Sequence, residues 1–292
     1  MLGILVLDKP AGVTSHDLVN QMRRRFQTRR VGHAGTLDPM ATGVLVVAIG
    51  PATRFLQYLD LEPKVYESEF AFGTATNTQD AEGEVIESAP VPDDLEERLI
   101  QTIPENFVGE IQQIPPMYSA VKRDGKALYH YARAGVELER EPRTVYIHGF
   151  DLDRLAPDRI RTTISCSGGT YVRTLAHDLG HAVGTCAHLA KIRRTQCGRF
   201  DLSHACTVDD AGPDHLIPLA QALEPMPSLT LNAGQVDHIR HGRAITAGRL
   251  EPGVNLFALL DEKGEVISVA RRTGPMLQPE CVLLAEATHG SS

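Results

Sequence analysis

The sequence contains no apolar run long enough to cross a bilayer: the longest, VLVVAI at 44–49, is six residues against the roughly 20 that a spanning helix needs. Its opening, MLGILVLDKPAGVTS, has no basic leader region and meets Asp8-Lys9-Pro10 within a few residues. It therefore reads as a strand and not as a signal peptide, and a cytoplasmic address is expected. Cysteine is scarce and odd in number, five (Cys166, Cys186, Cys197, Cys206, Cys281), with no C-x-x-C spacing. That argues against a disulfide framework or a cysteine-rich zinc site. There is no long low-complexity segment and no G-x-x-x-x-G-K-[ST], so a nucleoside triphosphate site is not expected.

Basic residues also run short, 29 against 37 acids, for a net charge of -8. Taken as a sum this opposes a nucleic-acid partner, because phosphate contacts dominate such binding. The distribution reverses the argument. Between Glu67 and Gln112 there are twelve acids against one base, Arg98, while Arg23, Arg24, Arg25, Arg29 and Arg30, then Lys122, Arg123 and Lys126, then Lys191, Arg193 and Arg194 form basic clusters. A field this uneven can present a positive face despite an acidic total.

With 292 residues, 42% hydrophobic and 23% charged, the chain has the make-up of a soluble globular protein of about two domains. Strand ILVLD leads to a helix opened by Thr14-Ser15 with Asp17 three residues after Thr14, close to a capping box. Leu18, Val19, Met22 and Phe26 recur at helical spacing, leaving the arginines largely off that stripe. VLVVAIG predicts a buried strand, TRFLQYL a short helix, and KVYESEFAFG an alternating strand in which Tyr66 shares the apolar face with Phe70 and Phe72. DDLEERLIQTI and YVRTLAHDLGHAVG predict helices, and 117–141, with a helix around ALYHYARAG, suits a flap better than a core element. Pro225 and Pro227 mark a boundary, after which several short strands suit a small barrel. The expected class is α+β: a large domain, 1–227, with a mixed, mainly antiparallel sheet, then a small β domain, 228–292.

Three features carry possible chemistry. Asp38, in GHAGTLDPMATG, precedes a proline that limits both its own backbone and the loop. The residues alone leave two readings, an Asx-type turn or a carboxylate aimed outward, and local sequence favours the turn. Arg173 falls in the first turn of its helix, where the macrodipole disfavours a cation unless an anion is near. A flexible surface arginine would also tolerate that small penalty. His177 and His181, in HDLGH, are four apart as in H-E-x-x-H, but Asp replaces the glutamate and only His188 offers a third ligand.

DKPAGVTSHDLV, VGHAGTLDPMATGVL, KVYESEF, TQDAEG, PPMYSAVKRDGKALYHYARAG, CSGGTYVRTLAHDLG and HLAKIRRT stand in this order over nearly the whole chain. Together they closely resemble the bacterial tRNA pseudouridine-55 synthase family, TruB, and the segment from about 228 resembles the PUA RNA-binding domain. The resemblance implies the pseudouridine synthase fold and isomerisation of uridine in the T arm of tRNA, without cofactor, metal or guide RNA, by a monomer. It implies that Asp38 is the catalytic aspartate, that Arg173 pairs with it, and that Tyr66 lies against the target uracil. It places Tyr171 and Ile192 in the uracil pocket, His33 in the RNA loop as the base leaves its stack, and Asp80 near the site. The pattern departs at Gly168, where lysine is common, at Ala34, where threonine is common, and at Ile192, where leucine is common. Under this reading Arg173 keeps Asp38 ionised, Tyr66 is a candidate for the late C5 proton transfer, and the atom that Asp38 attacks stays open. The rivals are a tRNA-binding protein without chemistry and a zinc hydrolase built on HDLGH.

Overall fold

The computed structural model describes residues 1–283 except 120, 124, 133, 247 and 249–251. In chain order the elements that frame the site are β1 (Gly3–Lys9), α1 (Ser15–Arg25), β2 (Val31–Ala34), β3 (Thr42–Ile49), β4 (Lys64–Phe72), α2 (Leu95–Asn106), α3 (Leu128–Ala132) and α4 (Val172–Ala182). A ten-stranded mixed sheet runs through Cys206–Thr207, β1, β3, Ala187–Cys197, β4, Arg159–Cys166, Arg143–Ala156 and Gly109–Gln113, with β2 branching from β3 and Phe200–Asp201 from Ala187–Cys197. Its pairings are antiparallel except β1 with Cys206–Thr207 and β3 with Ala187–Cys197.

The centre of the sheet is buried on both faces, which is why β1 and β3 read as continuous apolar runs. Leu5 and Leu7 of β1, with Leu45 and Val47 of β3, pack against the Leu18, Val19 and Met22 stripe of α1 and the inward faces of α2 and α4. Ile4 and Val6, with Val44 and Val46, face the other way, onto Phe55, Leu219 and the C-terminal residues Ala258, Val266, Val269 and Cys281. The predicted capping box of α1 is present: Thr14 Oγ1 accepts from the Asp17 N–H at 3.0 Å and Asp17 Oδ2 from the Thr14 N–H at 3.0 Å.

Other expectations need correction. TRFLQYL lies in a 3₁₀ helix, Gly50–Tyr58, whose Pro51 enters at the first turn. In the flap, helix among the described residues is confined to the five of α3, preceded by a Lys122–Arg123/Lys126–Ala127 hairpin whose Gly125 has φ +79°. The C-terminal strands do not close into a barrel among the described residues. They form a curled five-stranded sheet in the order Ser228–Thr230, Leu256–Leu260, Val266–Thr273, Met276–Val282, Ile245–Thr246. Closure needs the first and last of these to pair, and each is only two or three residues long. No helix among the described residues is long and apolar enough to cross a membrane.

Candidate active site

A cleft of about 1030 Å³ opens where the ends of β2 and β4, the start of α4 and the flap converge. Asp38 reaches it from the loop between β2 and β3, and that loop is held from several directions. Ser15 Oγ of α1 bonds both the N–H (3.0 Å) and the carbonyl (3.2 Å) of Leu37. Lys9, fully buried at the end of β1, donates its ammonium to the carbonyls of Pro10, Pro39 and Ala41 at 2.9, 3.0 and 2.6 Å. The backbone turn is closed by the Ala41 N–H on the Asp38 carbonyl, 3.1 Å. The carboxylate is thus free of turn duties and meets Arg173, which decides between the two readings of this loop.

Arg173 is 4% exposed. Its Nη2 donates to Asp38 Oδ1 at 3.2 Å and to the Tyr118 carbonyl of the flap at 3.0 Å, and Nη1 donates to the Thr78 carbonyl at 3.0 Å. Nε lies 2.9 Å from Asp38 Oδ2, but its N–H does not line up on that oxygen, so this leg is a charge contact and not a hydrogen bond. Nη1 also lies 3.4 Å from Asp80 Oδ2. The anions that a first-turn arginine calls for are therefore Asp38 and Asp80. Asp80 is itself fixed by Thr78 Oγ1 at 2.6 Å and the Glu82 N–H at 3.1 Å.

Burial pushes the Asp38 carboxyl up, Arg173 pulls it down, Asp80 pushes it up again and Lys9 pulls it down. The balance lies above the ordinary aspartate value of 3.8, so Arg173 limits the rise without cancelling it. Protein surrounds this carboxyl on most sides, yet 42% of its side-chain surface stays exposed at the cleft, so a ligand filling the cleft would strip away its remaining water.

Tyr66 lies on the buried face of β4 with Ser68, Phe70 and Phe72, as the alternation predicted. Burial raises its phenol to about 12, against the pull of the Arg194 guanidinium. His33, Tyr171 and Ile192 also line the cleft. His33 is half-buried, its Nδ1 has no hydrogen-bond partner among the described residues, and burial, then Arg194 and His16, lower its pKa, leaving the ring neutral at pH 7. Tyr171 caps α4, and its backbone is gripped by the buried Gln113 amide, whose Oε1 accepts from the Tyr171 N–H (2.7 Å) and whose Nε2 donates to its carbonyl (3.0 Å).

The cleft thus gathers Asp38, Tyr66, Arg173, His33, Tyr171, Ile192 and Asp80 from positions up to 159 residues apart. Three supporting residues escaped the sequence reading: Lys9, Gln113 and Arg194. Two had a usable signal, since Lys9 continues the inward parity of Leu5 and Leu7, and Arg194 shares parity with Ile192. Arg194 also corrects the basic-cluster reading. It is 1% exposed and unavailable to phosphate, while Lys191 pairs with Glu69 at 3.1 Å and Arg193 with Asp8 at 2.8 Å.

HDLGH lies on α4 with its histidines in mutual ring contact, centroids 4.5 Å apart; His177 bonds Asp178 and His181 reaches Glu87. Among the described residues no group of three or more His, Cys, Asp or Glu could hold a metal ion. The loop glycines serve the protein itself: a Cβ on Gly43, at φ +98°, would run into the Arg194 backbone carbonyl, and a Cβ on Gly35 would come 3.1 Å from Arg194 Nη1.

Lys9→Met is expected to cost about 2–4 kcal/mol of stability, since the carbonyls of Pro10 and Ala41 lose the ammonium and that of Pro39 keeps only the Gly12 N–H. A thermal melt checks this. Because the loop shifts without losing Asp38, turnover is expected to fall less than on removing that carboxylate.

Residues 23–172 match the family described as TruB family pseudouridylate synthase (N terminal domain), and 173–226 match the tRNA pseudouridylate synthase B C-terminal domain. The chain is 43% identical to tRNA pseudouridine synthase B of Syntrophotalea carbinolica over 254 residues, covering 85% of this chain and 83% of that one. It is 42% identical to the protein of the same name from Thermobifida fusca, covering 96% and 98%, and 40% identical to that of Burkholderia mallei, covering 98% of each. Among solved structures, a chain of a Cbf5-Nop10-Gar1 complex superposes with TM-score 0.73 at 28% identity, covering 97% of this chain and 85% of that one. A chain of an H/ACA RNP bound to a substrate RNA containing 2'-deoxyuridine gives 0.70 at 25%, with the same coverage.

Proposed function

The chain belongs to the TruB family of pseudouridylate synthases, isomerases that act on tRNA, and on that premise we propose that it converts uridine 55 in the T loop to pseudouridine. The observation that carries the reading is the Asp38–Arg173–Asp80 arrangement in a cleft walled by Tyr66, Tyr171 and Ile192. Aromatic and apolar walls suit the face of a base taken out of its stack, at a cost of a few kcal/mol that contacts elsewhere on the RNA must offset. Asp38 then meets the flipped nucleotide, and Tyr66 takes the C5 proton after the base has rotated. His33, neutral and half-buried beside the cleft, fills the stack that the base vacates.

Tritium release from a tRNA transcript labelled at uridine C5, with the product position mapped, tests the proposal. Release from purified protein and transcript alone, with pseudouridine at position 55, is expected of a stand-alone monomer that needs no guide RNA. Modification elsewhere, or a requirement for an added RNA, would overturn the position or the stand-alone reading. Tyr66→Phe is expected to keep tRNA affinity and lower turnover at least about 100-fold, the usual reach of a positioned proton-transfer group. If the ring acts by packing alone, the phenylalanine variant keeps its rate.

For RNA contact, Arg24, Arg29 and Arg30 are the members of the predicted basic clusters that fit best, since all three are exposed and their side chains make no hydrogen bond or ion pair among the described residues, whereas Arg23 bonds Asn20 and Arg25 the carbonyls of Asp209 and Ala211. A double Arg29→Ala/Arg30→Ala variant is expected to lower the salt slope of tRNA binding by roughly 2, one unit per lost phosphate contact, with single-turnover rate unchanged. We assign the C-terminal sheet, with Arg240 and Arg243 exposed, to an auxiliary PUA-like RNA-binding role in a cytoplasmic enzyme.

A further inference from the structure

Arg194 lies at the base of the cleft, in register opposite Tyr66 on the neighbouring strand. Its Nε donates to the Val44 carbonyl and its Nη2 to the Gly35 carbonyl, each at 2.8 Å, tying down the backbone on both sides of the Asp38 loop. Nη1 packs beside Gly35, where no side chain leaves room for it to be pushed away. Among the described residues no carboxylate lies within ion-pair distance of this guanidinium; those of the site go to Arg173. A buried cation satisfied only by neutral carbonyls is costly, and an uncharged donor would hold two carbonyls at less expense. The charge therefore points to a task of its own, and the cleft group that strand register sets beside it is Tyr66, whose phenol the guanidinium pulls down against burial.

We propose that Arg194 is a positioning residue for the last proton transfer: its guanidinium holds the Tyr66 oxygen toward C5 of the rotated uracil and stabilises the negative charge that grows there. The inference rests on Tyr66 being the group that takes the C5 proton. Once the C5–C1′ bond has formed, C5 carries both its hydrogen and the sugar. The C5–H bond breaks, its electron pair closes the C5=C6 double bond, and the proton passes to the Tyr66 oxygen. The tyrosine's own O–H proton leaves through water to N1, where the former N1=C6 π pair becomes the N1–H bond. No resting phenolate is needed, in keeping with a phenol that burial holds at about 12. What the relay needs is a cation close to an oxygen that gives up one proton while taking another.

The test uses full-length Arg194→Lys and Arg194→Met with tRNA transcripts carrying protium or deuterium at C5 of uridine 55, in single turnover. Expected are unchanged tRNA affinity, a rate loss of roughly 10- to 100-fold, and a deuterium isotope effect that rises above the wild-type value, because C5–H cleavage becomes slower than the steps before it. Should the methionine variant fail to fold by thermal melt, the lysine variant carries the test, since it keeps the charge and loses the planar fork. A rate loss with an unchanged isotope effect would assign Arg194 to scaffolding alone and overturn the proposal, as would an undiminished rate. Tyr66→Phe run alongside separates the failures: full activity there removes the reading underneath, whereas an inactive Tyr66→Phe beside an Arg194 variant with an unchanged isotope effect removes only this inference.

Discussion

Asp38→Asn is expected to lower single-turnover pseudouridine formation by at least about four orders of magnitude, ~5.5 kcal/mol of barrier, with tRNA affinity within about twofold of the parent. The asparagine keeps the shape of the side chain and one acceptor for Arg173, and the loop clamps of Lys9 and Ser15 do not involve the carboxylate. What is lost is the negative charge, which the proposed reaction uses whichever atom Asp38 attacks or deprotonates. An interaction used only in the transition state shows itself as lost rate with intact binding. Tritium release in single turnover, beside filter binding of the same tRNA, measures both quantities. A variant that still releases tritium at the parent rate would remove Asp38 from the chemistry, and a binding protein without chemistry would show no release in either form.

Arg173→Met is expected to cost roughly 1000-fold in rate and about 3–5 kcal/mol in stability, the range for removing one partner of a buried ion pair. Its guanidinium stands between Asp38 and Asp80 and satisfies the carbonyls of Thr78 and Tyr118. Without it, two carboxylates share a desolvated site with no cation between them. The pH dependence follows in sign. In the wild-type protein the Asp38 carboxyl titrates above 3.8, so activity that needs the ionised form falls as pH drops through that raised value. Deleting Arg173 removes a downward influence and keeps the upward pull of burial and Asp80, so the acidic limb of any residual activity moves to higher pH. Arg173→Lys restores part of the charge effect but cannot reach two carboxylates and two carbonyls from one ammonium, and its rate is expected to lie between the two. A pH–rate profile of the three proteins checks the order.

Much of the candidate site was legible before folding. Tyr66 declared its buried face by strand alternation, and Arg173 declared a missing anion by its place in a helix's first turn. Residue spacing did not name the partner of that arginine, which only the resemblance gave as Asp38, because Asp38 and Asp80 are brought to it from 135 and 93 positions away by separate loops. Nor was the direction of the Asp38 pKa: pairing with a cation suggested a depressed value, but burial in the assembled cleft outweighs it. The basic run LAKIRR reads as one surface patch, yet strand pairing turns Arg194 inward while Lys191 stays out.

By itself the sequence determined what short-range physics controls: the capped amphipathic α1, the doubly buried β1 and β3, the proline-stiffened loop that carries Asp38, and the family to which these motifs belong. Tertiary structure alone decided which charges are buried, which glycines make room for protein backbone, and that the C-terminal strands curl without closing among the described residues. The reason is physical. Helix caps and strand alternation depend on neighbours a few residues away, whereas desolvation, ion pairing and close backbone approach depend on the atoms that the rest of the chain delivers to the same place.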